Sequence, residues 1–85
     1  MIEILATLAA IFGVLMSLGH FSQAYKIWKR KSAKDVSLIT FTIFWLGDMV
    51  WLAYGIAIHD WPLMASFTVG VLGTTCVMIL ALKYR

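Results

Sequence analysis

The chain has 85 residues, 62% of them hydrophobic, and carries seven Lys and Arg against four Asp and Glu, a net charge of +3. A soluble domain this small has too much surface to be so apolar, so these side chains must face lipid or other protein. The basic balance does not indicate nucleic acid. All the cations fall between Lys26 and Lys34 or at Lys83 and Arg85, at the ends of apolar segments, and none is spread over a polar surface.

A helix that crosses a membrane needs ~20 apolar residues to span ~30 Å of hydrocarbon. The first candidate covers about residues 4–25. It begins as a nearly unbroken apolar run and becomes mixed at His20-Phe21-Ser22-Gln23-Ala24-Tyr25. Its N-terminal flank carries Glu3 and no Lys or Arg, and its cations follow the apolar run. A secretory signal has the opposite order, so the segment is expected to be retained as a helix. Ala9, Gly13 and Ser17 recur every four residues along it, a stripe of small residues that lets a second backbone approach.

Lys26, Lys29, Arg30, Lys31 and Lys34 are expected to join this helix to the next, with Ser32, Asp35 and Ser37 as candidate N-caps. The second helix is expected at about 38–58 and is interrupted only by Asp48. At ~1.5 Å per residue, Asp48 lies ~15 Å from either end, near the bilayer centre. A carboxylate there costs roughly 2.5–3.5 kcal/mol, so it is normally turned towards water or a polar partner. Three roles are open for it: binding substrate hydroxyls, structural hydrogen bonding in a protonated state, and proton exchange. Trp51 and Tyr54 follow at three-residue steps, so all three lie roughly along one side of the helix. An aromatic ring beside an acceptor suits a sugar, whose C–H face stacks on the ring while its hydroxyls bind polar groups. The competing reading of Trp51 is an ordinary packing aromatic.

The link His59-Asp60-Trp61-Pro62 carries no Lys or Arg. Asp60 is suited to cap a third helix, expected at about 62–82, with Pro62 in its first turn. Ser66, Gly70 and Thr74 form a second small-residue stripe, and the single Cys76 is expected to be a buried thiol without a disulfide. Cationic segments stay in the cytoplasm. The first cluster and the tail are therefore expected inside, the His59–Pro62 link and the N-terminus outside.

No catalytic constellation is present. His20 is expected near the inner end of the first helix, far from His59; no Cys/His/carboxylate cluster has metal-ligand spacing, and no Gly-rich phosphate loop occurs. Neither an enzyme nor a bound metal or cofactor is expected. Three helices cannot enclose a water-filled path for a metabolite, so any path must run between subunits. A symmetric dimer is the commonest closed assembly, and the charge rule makes it parallel.

The stretch Phe21-Ser22-Gln23-Ala24-Tyr25-Lys26-Ile27-Trp28-Lys29-Arg30-Lys31-Ser32-Ala33-Lys34-Asp35-Val36-Ser37 resembles the PQ-loop signature. Trp51-Leu52-Ala53-Tyr54-Gly55 is similar to its W-x-x-Y-G element, and the opening at Pro62 and close at Leu82-Lys83-Tyr84-Arg85 also fit. Over nearly its whole length the chain resembles the bacterial SemiSWEET sugar transporters. The resemblance implies an all-α half-transporter of three transmembrane helices, assembled as a parallel homodimer in the bacterial inner membrane. It would pass mono- or disaccharides by alternating access along the dimer axis. It further implies a pocket around Trp51 and Phe67, with Asp48 and Thr74 nearby, a hinge at Ser22 and Gln23, and an outer gate at Tyr54 and Asp60.

Two departures from the family pattern bear on this. Ser22 stands at the family's Pro; it keeps its N–H and can bend the helix only by bonding a carbonyl one turn back, so hinge motion is either reduced or supplied by Gly19. Phe67 stands at the family's Asn, which removes two donors and an acceptor per subunit. Either Asp48 and Thr residues of the third helix take over, or the substrate is not a typical sugar, or transport is impaired. The alternatives are a proton-coupled carrier of a non-sugar metabolite that uses Asp48, and a small non-transporting membrane assembly protein.

Overall fold

In the computed structural model, which describes all of residues 1–85, the chain forms three helices: α1 (Ile2–Arg30), α2 (Leu38–Ala57) and α3 (Trp61–Lys83). Each is long and apolar enough to cross a membrane. The molecule measures 45 × 20 × 14 Å.

α1 does not end near Tyr25. It continues through Lys26, Lys29 and Arg30 and stops where Lys31 turns left-handed at φ 55°. Three of the five clustered cations therefore stand on the helix, not in the link. Cations in a last turn complement the helix dipole, and their long stems reach past the hydrocarbon edge. At 29 residues, α1 is ~43 Å long, more than the ~30 Å of hydrocarbon needs.

Of the candidate caps for α2, Ser37 fills the role: its hydroxyl accepts the Thr40 N–H at 3.2 Å. Asp35 instead pairs with Arg30 at 2.9 Å across the link. At α3, the Asp60 carboxylate accepts the Leu63 N–H at 3.1 Å, with Pro62 in the first turn. The turn between α2 and α3 closes on His59 at φ 53°, with the Asp60 N–H donating to Gly55 O at 2.9 Å. Such a left-handed residue satisfies carbonyls at a helix end that have no intrahelical partner.

The spatial order is α1–α3–α2. α3 packs against both other helices, whereas α1 and α2 have no close backbone approach. The two small-residue stripes meet at α1–α3. A Cβ on Gly13 would lie 2.7 Å from Ser66 Cβ, and one on Gly73 would lie 2.7 Å from His20 Cβ. Ser17 Oγ donates to the Ser66 carbonyl at 3.0 Å. On the other side, Gly55 admits Leu63, and Trp45 Nε1 donates to Thr75 Oγ1 at 2.9 Å. Helices in lipid associate through such close packing and hydrogen bonds, since burial from water contributes little there.

The buried cluster lies at the cationic end: Ala24, Ile27, Ala33, Val77 and Ala81, with the half-buried Cys76 against it. The α1–α2 link is tied to the end of α3. Ala33 N–H donates to Tyr84 O at 3.2 Å, and the Lys31 ammonium lies 4.7 Å from the Trp28 ring centre and 5.2 Å from that of Tyr84. Desolvation is the largest single influence on the Tyr84 phenol and raises its pKa. The hydrogen bond from Lys31 and the charges of Lys31 and Lys83 outweigh this and hold it below its ordinary 10.0. By contrast, large apolar side chains along α1, among them Ile4, Leu5, Phe12, Leu15 and Met16, are exposed. They need lipid or a second subunit to cover them.

Candidate functional site

α2 runs antiparallel to α3, and their facing residues form successive rungs. Trp51 stacks on Phe67 with ring centres 5.9 Å apart and planes 13° from parallel. Tyr54 meets Trp51 edge-on at 5.8 Å and 88°. One turn further in, Asp48 faces Gly70. A Cβ on Gly70 would lie 2.9 Å from Asp48 Oδ2 and 3.4 Å from Ser17 Oγ. The missing side chain at position 70 thus lets a carboxylate of α2 reach over α3 towards α1.

From α1, Ser17 and His20 complete this level. The His20 ring lies edge-on to Phe41 at 5.9 Å and tilted to Phe44 at 6.3 Å, both on α2. The two outer helices, apart at the backbone, therefore meet through side chains over the front of α3. The result is one face with an aromatic level (Tyr54, Trp51, Phe67) above a polar floor (Asp48, Ser17, His20). A groove of about 430 Å³ between α1 and α3 runs past Gly13, Ser17, His20, Ser66 and Phe67.

Hydrogen bonding on this floor is incomplete. Asp48 Oδ2 is buried and receives no hydrogen bond. The Ser17 hydroxyl donates to the Ser66 carbonyl. Thr74 lies beside the carboxylate, but its hydroxyl donates to the Gly70 carbonyl at 2.8 Å. An ionised group left without donors in a low-dielectric setting is costly, so this arrangement invites a ligand or a proton.

The other residues singled out from the sequence fall as follows. Thr74 is fully buried behind Asp48 and does not line the open face. Its hydroxyl is bonded back to the Gly70 carbonyl of its own helix. Asp60 is the N-cap of α3. Ser22 is exposed, and α1 runs through it as a continuous helix. Gln23 is half-buried. Gly19 is open, since an added Cβ would meet nothing within 4 Å. His20 is not near a helix end. It lies ten residues before Arg30, at the level of Gly73, because α1 is longer than its apolar run. Ser17 and His20 were thus missed as companions of Asp48. The signal was that His20 and Asp48 each stand ten residues from the cationic end of their helix, visible only once α1 is carried to Arg30.

A family model described as "Sugar efflux transporter for intercellular exchange" matches residues 3–85. The chain belongs to this sugar efflux transporter family. Among its relatives is a sugar transporter SemiSWEET of Bradyrhizobium diazoefficiens, 35% identical over 68 residues, which are 80% of this chain and 79% of the relative. The crystal structure of a bacterial homologue of SWEET transporters superposes with a TM-score of 0.89 at 27% identity, covering 96% of this chain and 99% of that one. The family expected from the PQ-loop-like stretch is thereby borne out, as is the all-α, three-helix fold of this sugar efflux transporter.

Proposed function

We propose that the protein is a facilitative sugar transporter, working as a parallel homodimer in the bacterial inner membrane with its cationic end in the cytoplasm. Family membership supports the activity, together with a relative named for sugar transport. The observation that carries the reading onto this chain is the stacked Trp51–Phe67 pair above a polar floor, on a face that all three helices build and one protomer leaves open. A second copy facing it closes a path and brings two of each residue to one axis.

Trp51 offers its ring to the C–H face of a pyranose, and Asp48 accepts hydroxyl hydrogens. Phe67 narrows the pocket and supplies apolar contact. Tyr54 and Asp60 stand at the outer mouth, where the two protomers approach when it closes. Hinge motion falls to α1 around Gly19, Ser22 and Gln23, where the helix has an open face. Alternating access then rocks two rigid inner halves about this region, as in other parallel-repeat carriers.

The test is uptake of labelled glucose and sucrose into proteoliposomes that contain the purified protein. Uptake is expected down a gradient, equal with and without an imposed pH difference, and reduced about tenfold by Trp51→Ala. Accumulation driven by the pH difference and abolished in Asp48→Asn would instead establish a proton-coupled carrier. Absence of flux for both sugars, with the dimer intact, would refute the assignment.

A further inference from the structure

We propose that the site selects a sugar bearing a protonated amine, a hexosamine, over its neutral counterpart, with the ammonium held between the Asp48 carboxylate and the open side of the Trp51–Phe67 stack. This inference rests on the sugar-transport reading above and names the substrate class of the same site.

Charge is the first argument. Of the four carboxylates, Glu3, Asp35 and Asp60 lie at helix ends or links, and only Asp48 lies deep within a span. No Lys or Arg stands between Lys34 and Lys83, so neither α2 nor the spanning part of α3 offers a fixed cation to balance it. On α1 the first Lys or Arg is Lys26, ~9 Å further along the helix than His20, the one base that faces the Asp48 carboxylate. A buried carboxylate is retained at modest cost only where a positive partner or donors meet it. In a dimer two such groups would approach one axis and double the demand.

Donor supply is the second argument. A sugar hydroxyl both donates and accepts, and when buried it needs both partners. The floor has an acceptor to spare, because Asp48 Oδ2 has no donor. Its hydroxyls donate elsewhere, Ser17 to the Ser66 carbonyl and Thr74, which lies within reach of Asp48, to the Gly70 carbonyl. What remains is a His20 N–H on the floor and, one turn above it, the Trp51 indole N–H and the Tyr54 hydroxyl. An ammonium group has three donors and no acceptor, so it uses what the floor offers and asks for nothing it lacks.

The third argument is the aromatic level one turn away. Trp51, stacked on Phe67 on one side, and the edge-on Tyr54 are both half-exposed, so part of their π surface is open to an organic cation, which such a ring attracts within ~6 Å. They do not serve an inorganic one. A hard cation such as Ca²⁺ takes six or more oxygen ligands, and Asp48 and the Ser17 hydroxyl fall well short of that. The pairing of a carboxylate with aromatic faces therefore favours an ammonium carried on a ring-shaped, partly apolar body.

Counterflow exchange in proteoliposomes at neutral pH, where most of the amine is protonated, provides the test. Labelled glucosamine is expected to exchange about tenfold faster than glucose at equal low concentration. N-Acetylglucosamine, which keeps the ring and loses the charge, should compete poorly. Asp48→Asn should bring the glucosamine-to-glucose ratio towards one. Quenching of tryptophan fluorescence by glucosamine in the detergent-solubilised wild-type dimer gives a readout that does not depend on the variant folding. Equal exchange of glucosamine and glucose, or effective competition by N-acetylglucosamine, overturns the inference and leaves sugar transport standing. Failure of every sugar to exchange overturns both.

Discussion

Phe67 decides how polar the pocket is. It lies flat against Trp51, so the two rings form one apolar wall, with the polar floor of Asp48, Ser17 and His20 one turn further in. Phe67→Asn returns two donors and an acceptor per subunit and removes bulk. This variant is expected to raise glucose flux several-fold over wild type in the proteoliposome assay, with Km falling more than kcat changes. Unchanged or lower flux in a correctly assembled variant would show that the apolar contact made by Phe67 matters more to binding than the hydrogen bonds an Asn adds. Trp51 and Asp48 stood out in the sequence because a carboxylate and an aromatic at three-residue spacing in an apolar helix are costly or large. Gly70 did not: its part is to leave open the space that the Asp48 carboxylate enters, and an absent side chain has meaning only when its neighbour is known.

Among the elements, α3 is the centre and its glycines are not equivalent. Gly13 and Gly73 mark where α1 and α3 touch, whereas Gly19 and Gly47 have no neighbour within 4 Å of an added Cβ. Gly13→Ala forces its new methyl against Ser66 and is expected to destabilise the protein by about 1–3 kcal/mol, read as a lower melting temperature in detergent. Gly19→Ala should leave that melting temperature unchanged or slightly raised, because Ala is the better helix former. If α1 bends at Gly19, the same variant slows transport; unaltered flux would move the hinge elsewhere. The cationic end offers a separate test. Tyr84, under Lys31 and Lys83, has its phenol pKa held below 10.0, so ionisation is favoured in the folded form. The resulting stabilisation is absent below the folded value, grows as pH rises through it, and is complete above 10.0. Ultraviolet titration should show one phenol ionising ahead of the other two, and Tyr84→Phe should remove that early step. Its persistence would place the perturbed phenol at Tyr25 or Tyr54.

At the scale of the whole molecule, the exposed apolar side chains need lipid or a second copy to cover them, and the open aromatic face is where the proposed second copy would sit. In the parallel homodimer proposed above, position 51 of each protomer faces the common axis. A Trp51→Cys, Cys76→Ser variant is therefore expected to form a disulfide-linked dimer in membranes under mild oxidation. A control cysteine at Ile4, on an exposed part of α1, tests whether linking is specific to the axis. Orientation is checked by a membrane-impermeant amine reagent, which should label Lys31 and Lys34 only after the vesicle is opened from the cytoplasmic side. Labelling from outside would invert the proposed topology.

Composition and charge alone determined that this is a three-helix membrane protein. Apolar runs of ~20 residues match the thickness of a bilayer, and the cations at their ends are the basis of the proposed orientation. The caps Ser37 and Asp60 were legible for the same reason: they act on backbone groups within three residues of themselves. The order α1–α3–α2 was not legible, because helix packing depends on which small-residue stripes meet across space. Once Gly13 and Gly73 admit Ser66 and His20, α3 comes between its two predecessors. That placement alone brings His20 and Ser17 of α1 to Asp48 of α2. Thr74, which reads in the sequence as a pocket hydroxyl, is turned back onto its own helix. The side chains able to bind a ligand could be named from the sequence, while tertiary packing decided which of them share one open face.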